Sequence, residues 1–169
     1  TAIAVAQAVP DFAPAATYSV PGGAYWSAAG DFNGDGRVDL AAPDANIQGF
    51  WVSLGAPDGL YSSPVPRGYG VIVQAMSSAD FNNDGRADLL LSTSAGIRIL
   101  LGQTDATFTS AGSLLLPITA TYAASADFNR DGRLDVVVAG TGGFAVALGV
   151  GNGTFQNGTL HAQATAGTY

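Results

Sequence analysis

The sequence has no cysteine, no glutamate and no lysine. Without cysteine there is no disulfide framework and no thiol chemistry, so stability must come from packing or from a bound metal. Without glutamate, and with His161 as the single histidine, acid–base catalysis has little to draw on. His161 has no nucleophile or acid beside it in sequence, and neither a G-x-S-x-G nor an H-E-x-x-H pattern occurs. We therefore expect no enzymatic activity and read His161 as a surface residue. The cations are six arginines against 13 aspartates, a formal net charge of −7, which argues against nucleic acid, whose partners present a basic face. No apolar run approaches the roughly 18 residues of a membrane span. Residues 1–9 are apolar but lack a basic leading region and an initiator methionine, as in a mature or trimmed end rather than a signal peptide. Charged residues make up only 11% and apolar ones 47%, which excludes a disordered chain.

What is present is one nine-residue pattern written three times. It reads Asp31-Phe32-Asn33-Gly34-Asp35-Gly36-Arg37-Val38-Asp39, then Asp80 to Asp88, then Asp127 to Asp135, in each case D-F-N-x-D-G-R-x-D. Oxygen side chains fall at positions 1, 3, 5 and 9, and glycine holds position 6, where a chain wrapping a small ion must turn sharply. This is a hard-oxygen set suited to Ca2+ and close to the first nine positions of an EF-hand loop. The expected ligands are Asp31, Asn33, Asp35 and Asp39; Asp80, Asn82, Asp84 and Asp88; and Asp127, Asn129, Asp131 and Asp135. The backbone carbonyls of Arg37, Arg86 and Arg133 are expected to join them, with the arginine side chains solvated or bracing the loop. An EF-hand also needs a glutamate at position 12 and flanking helices. Here position 12 is Ala42, Leu91 or Val138, and the flanks are short apolar, β-branched-rich runs that favour strands. The expected unit is strand, calcium loop, strand, with about three ions per chain. Nine of the 13 aspartates sit in these loops, so three divalent ions would bring the chain close to neutrality.

The repetition extends beyond the loops. A second signature, L-G-x-x-[DN]-[GA]-x-[FY], follows each one: Leu54 to Tyr61, Leu101 to Phe108 and Leu148 to Phe155. Its aromatic positions 61, 108 and 155 recur every 47 residues, and Phe12 precedes Asp31 by the same 19 residues that separate Tyr61 from Asp80. Each repeat holds four strand-like runs with a Gly/Asp turn between the third and fourth, and no 3.6-residue periodicity appears. Four strands per 47-residue unit fit a β-propeller blade. The expected fold is all-β: residues 1–23 as a partial blade of third and fourth strands, 24–70 as blade 1, 71–117 as blade 2, and 118–169 as blade 3 with the start of a further strand. The loop phenylalanines are expected to anchor packing between blades.

D-F-N-x-D-G-R-x-D-[LV] followed by V-x-L-G-x-x-x-G-x-F resembles the FG-GAP or VCBS repeat of integrin-alpha-like calcium-binding β-propellers. Residues 49–57, Gly-Phe-Trp-Val-Ser-Leu-Gly-Ala-Pro, keep much of the motif for which it is named. The resemblance implies a propeller whose calcium loop joins the first two strands of each blade. It also implies a role in recognition, since such repeats occur in integrin heads, in sugar-binding lectins and in modules of secreted enzymes. The resemblance usually involves about seven blades, against three full ones here.

From this we expect an extracellular, calcium-stabilised recognition module, most simply for carbohydrate or a glycoprotein surface. The alternatives are an adhesive or structural protein–protein module and an accessory fragment of a secreted enzyme. Aromatic rings are the candidate sugar platforms: Trp26 and Tyr122, which share one repeat position, and Trp51, which stands where the other blades carry Arg98 and Ala145. Packing between blades is the competing role for Trp26 and Tyr122. Asp11, Asp44, Asp58 and Asp105 are expected in turns. Three blades cannot close a ring, so a head-to-tail homodimer, or a longer natural chain of which this is an excerpt, is expected. Residues 1–20 resemble the end of a blade, and Tyr169 falls at the position of Trp26 and Tyr122, at the start of the next.

Overall fold

A computed structural model describes residues 17, 19, 27–114, 116, 118, 120–156 and 158–162. These residues form twelve strands and no helix: β1 (Ala28–Gly30), β2 (Asp39–Asp44), β3 (Gly49–Ser53), β4 (Val65–Gly68), β5 (Val73–Ala79), β6 (Asp88–Thr93), β7 (Gly96–Gly102), β8 (Phe108–Leu114), β9 (Ala120–Ala126), β10 (Asp135–Gly140), β11 (Gly143–Ala147) and β12 (Thr159–Ala162). They make three four-stranded antiparallel meanders, β1 to β4, β5 to β8 and β9 to β12. The nine-residue loop joins the first and second strand of each sheet, as the spacing predicts.

The sheets stack face to face, and the middle one shows why its second strand is apolar throughout. Every residue of β6, Asp88 to Thr93, is buried. Side chains alternate across a strand, so Leu89 and Leu91 pack into a core shared with Phe32, Ala41, Phe50 and Val52 of the first sheet. Leu90 turns to the other core, with Val136, Val138 and Ala147 of the third sheet. A strand covered on both faces needs an unbroken apolar run, and Leu89-Leu90-Leu91 supplies it.

The second signature is a hairpin device. Gly59, Ala106 and Gly153 occupy one repeat position and all have positive φ, at 79°, 57° and 81°. Two residues after the turn aspartate or asparagine, a backbone N–H is held by its side chain: Leu60 by Asp58, Thr107 by Asp105 and Thr154 by Asn152. The structural reading of Asp58 and Asp105 therefore holds. Asp44 differs. It ends strand β2, buried, because its carboxylate accepts the Trp51 indole N–H at 2.7 Å. Asp11 lies outside the described residues.

The loop phenylalanines do anchor neighbouring sheets where a neighbour follows. Phe32 meets Phe108 edge to face, and Phe81 meets Phe155 in the same way. Phe128, third in the series, is half exposed. His161 is exposed, as expected, and stacks on Phe144.

Candidate functional site

Three features could carry function: the repeated loops, the aromatic platforms and the clefts between sheets. The loops are nearly superimposable in their bonding. Position 1 gathers backbone amides: Asp31 Oδ2 accepts the Gly36 N–H at 2.7 Å, and Asp80 and Asp127 accept those of Gly85 and Gly132 at 2.9 Å. The sixth-position glycines take φ of 83°, 85° and 81°, the left-handed region that favours glycine. The fourth position is left-handed too, although two of its occupants are Asn83 and Arg130.

The ninth-position aspartates Asp39, Asp88 and Asp135 are fully buried. One oxygen of each accepts the N–H of Phe32, Phe81 or Phe128; the other accepts that of Gly55, Gly102 or Gly149. Each thereby ties the loop to the L-G of the second signature. That glycine must be glycine, because a Cβ on Gly102 would lie 2.5 Å from the Ala87 carbonyl oxygen and 2.7 Å from that of Phe32. Burial raises the Asp39 carboxyl, with smaller contributions from Asp35 and Asp31. It pushes Asp88 up to about 6, again with Asp84 and Asp80 adding to the effect. Crowded carboxylates favour protonation unless a cation is near.

The seventh-position arginines brace the loop. Arg37, Arg86 and Arg133 each donate Nε–H to the carbonyl of Gly55, Gly102 or Gly149, at 2.8, 2.9 and 3.0 Å. Each also pairs through Nη2 with the fifth-position carboxylate, Asp35, Asp84 or Asp131. The third-position amides of Asn33, Asn82 and Asn129 donate to the same carboxylates. These bonds hold Asp35 and Asp131 below the usual carboxylate range, the asparagine bond contributing most. The donor chemistry thus fits a hard cation: carboxylate, amide and carbonyl oxygens within one turn. As arranged here, the loops close on internal hydrogen bonds. Among the described residues, no three carboxylates or imidazoles are already gathered as an ion's ligands.

The platforms separate. Trp26 lies outside the described residues. Trp51, half-buried, is on the face of β3 opposite Phe50 and Val52, which pack toward the second sheet. Tyr122 stands on β9 with more than half its surface exposed. It borders a cleft between the second and third sheets together with Ser77, Leu90 and Ser92. Sequence reasoning passed over those two serines. Their signal was legible in the repeat alignment, because the equivalent positions hold Ala28 and Pro43 in the first sheet, and Ala124 and Ala139 in the third. A second cleft, bordered by Ile99, Ala111 and Phe155, has its Thr154 hydroxyl already bonded to Asn152.

An FG-GAP-like repeat profile matches residues 80–138 and 127–169, together just over half of the chain. The chain belongs to the FG-GAP-like repeat family. No curated protein matches it in sequence. Among solved structures, this FG-GAP-like chain is similar to a lectin of Agrocybe aegerita that specifically recognises non-reducing terminal N-acetylglucosamine. The TM-score is 0.58 at 26% identity, over 78% of this chain and 37% of the lectin. The FG-GAP-like chain described here thus spans little more than a third of that lectin's length.

Proposed function

We propose that this chain is a carbohydrate-recognition module whose loops are made rigid by calcium, working outside the cell. The observation that carries the carbohydrate reading is the likeness to an N-acetylglucosamine-recognising lectin over 78% of the chain. Family membership agrees with it, and so does the absence of glutamate, which leaves recognition favoured over catalysis.

The calcium reading rests on the loops. Asp31, Asn33, Asp35, Asp39 and the Arg37 carbonyl would hold one ion, and the equivalent residues of the other loops would hold two more. A divalent ion would offset the mutual repulsion of the loop carboxylates and join the two strands of each hairpin, so binding free energy becomes folding free energy. Arg37, Arg86 and Arg133 serve as braces through their side chains. Free calcium at extracellular concentrations fills weak sites of this kind, which is why we place the module there.

An adhesive protein–protein role is the second reading, favoured by the exposed rings Phe128 and Phe144 on the third sheet. A glycan array probed with and without calcium separates the two. Binding to defined glycans, weakened by chelator, is expected; silence across the array would leave the adhesive reading.

A further inference from the structure

We infer that the junction between the second and third sheets seats a terminal sugar residue, with Ser77 and Ser92 meeting its hydroxyl groups and Tyr122 forming an aromatic wall. This locates the ligand of the carbohydrate reading above and rests on it.

The junction between the first and second sheets is the control that the molecule itself supplies. There the inner strands bring Ala28, Ala41 and Met76 into one closed apolar core. At the next junction every equivalent position has changed. Ser77 stands for Ala28, Leu90 for Ala41, Ser92 for Pro43, Tyr122 for Ala75 and Ala123 for Met76. Replacing methionine by alanine withdraws the side chain that fills the first junction. What opens is a cleft of about 100 Å3 bordered by Met76, Ser77, Leu90, Ser92, Tyr122 and Ala123.

The two serines are the decisive detail. The hydroxyls of Ser77 and Ser92 are both enclosed by protein, and neither has a hydrogen-bond partner. Ser92 is fully buried. An unpartnered buried hydroxyl is destabilising, because the hydrogen bonds it made to water in the unfolded chain are not replaced. The sister sheets avoid that penalty by carrying alanine or proline at both positions. Two such groups on one cleft, in the only sheet of the three that carries both, break a local rule without a structural gain, and such breaks cluster at functional sites.

The lining selects the ligand class. None of its side chains is charged, so a phosphate or carboxylate would be buried unpaired at high cost. A sugar offers hydroxyls for the serines and a C–H face for the tyrosine ring, and small-ligand sites combine an apolar wall with a few placed polar groups in this way. A volume near 100 Å3 takes the hydroxyl edge of one residue and leaves the rest of a glycan in solvent.

The test uses the full chain, the glycan array, and N-acetylglucosamine by calorimetry. Ser77→Ala/Ser92→Ala should weaken binding about tenfold or more, while the melting temperature without sugar holds or rises because the orphan hydroxyls are gone. Tyr122→Ala should abolish binding and Tyr122→Phe should keep it. Tyr122 is exposed, so this pair stays informative if the serine variant folds poorly. Trp51→Ala, on the far face of the first sheet, should bind as wild type. If wild type binds a glycan and the Ser77/Ser92 and Tyr122 variants bind it equally well, the site is elsewhere and only this inference falls. If wild type binds neither the array nor millimolar N-acetylglucosamine, the carbohydrate reading falls and the cleft assignment falls with it.

Discussion

Phe81 of the second loop and Phe155 of the third sheet meet edge to face, their ring centroids 5.8 Å apart at 71°. Phe32 and Phe108 make the same contact one sheet earlier, at 5.4 Å and 64°. The series puts a loop phenylalanine of one sheet against the signature aromatic of the next. In the third sheet Phe128 is 50% exposed where Phe32 and Phe81 are 0% and 3%. Phe144 is 46% exposed where its equivalents Phe50 and Ile97 are both 0%.

We propose that these rings receive another FG-GAP-type blade, supplied by the first sheet of a second chain in head-to-tail fashion. Its Leu40 and Ala42 stand at the positions of Leu89 and Leu91, which already pack against a preceding sheet. Sedimentation or light scattering at micromolar concentration should give a mass of two chains. Phe128→Asp with Phe144→Asp should reduce it to one. A wild-type monomer would refute the pairing.

Metal removal should separate two roles inside each loop. Calorimetry on stripped protein should detect about three ions per chain, one for each loop. Asp84→Ala should remove one of them and lower the melting temperature mainly when calcium is present. Asp88→Asn should instead destabilise with or without calcium, by about 1–3 kcal/mol, because Asp88 holds the amides of both Phe81 and Gly102. A stoichiometry near zero, with chelator leaving the melting temperature unchanged, would sink the calcium reading.

Gly102→Ala should be among the most damaging single-methyl additions. The new Cβ would press on two backbone carbonyls, from Ala87 and Phe32, and neither can move without shifting a loop. Overpacking of this kind costs typically about 1–3 kcal/mol, read as a lower urea midpoint at unchanged slope. Gly85→Ala, at φ 85° with open space around its Cβ position, should act through backbone strain alone and cost less.

Trp51 should report the ionisation of Asp44. Its indole N–H, followed by the Asn46 amide, holds the Asp44 carboxyl below its ordinary value. A depressed carboxyl contributes stability that is full above the unfolded-state value and is lost as pH falls through the folded-state one. On a Trp26→Phe background, Trp51 fluorescence should therefore shift only at pH below the ordinary aspartate value. The shift should vanish in Asp44→Ala. A midpoint above that value would contradict the bond.

How much of this was legible beforehand follows from the range of each interaction. The loop, its strands and the hairpin turn are local: D-F-N-x-D-G-R-x-D carries its own turn glycine and its own acceptors, and strand alternation is written in residues two apart. Threefold repetition then separates pattern from accident, so the all-β repeat architecture could be read from the chain alone. Asp44 was misplaced in a turn because its partner, Trp51, sits across a hairpin.

Only the tertiary structure decided what lies between the sheets. That Asp88 and Gly102 are partners depends on the second signature folding back onto the loop, and the need for glycine there is a close approach of backbones that composition cannot express. Whether a phenylalanine at the second loop position is core or surface depends on a neighbouring sheet, which is why Phe81 is buried and Phe128 is not. The cleft of Ser77, Ser92 and Tyr122 joins residues 15 to 45 positions apart. Its emptiness comes from a side chain that is short, Ala123, and its polarity from hydroxyls left without partners. The local sequence determined each repeat; packing, which compares one repeat with the next, decided where they differ.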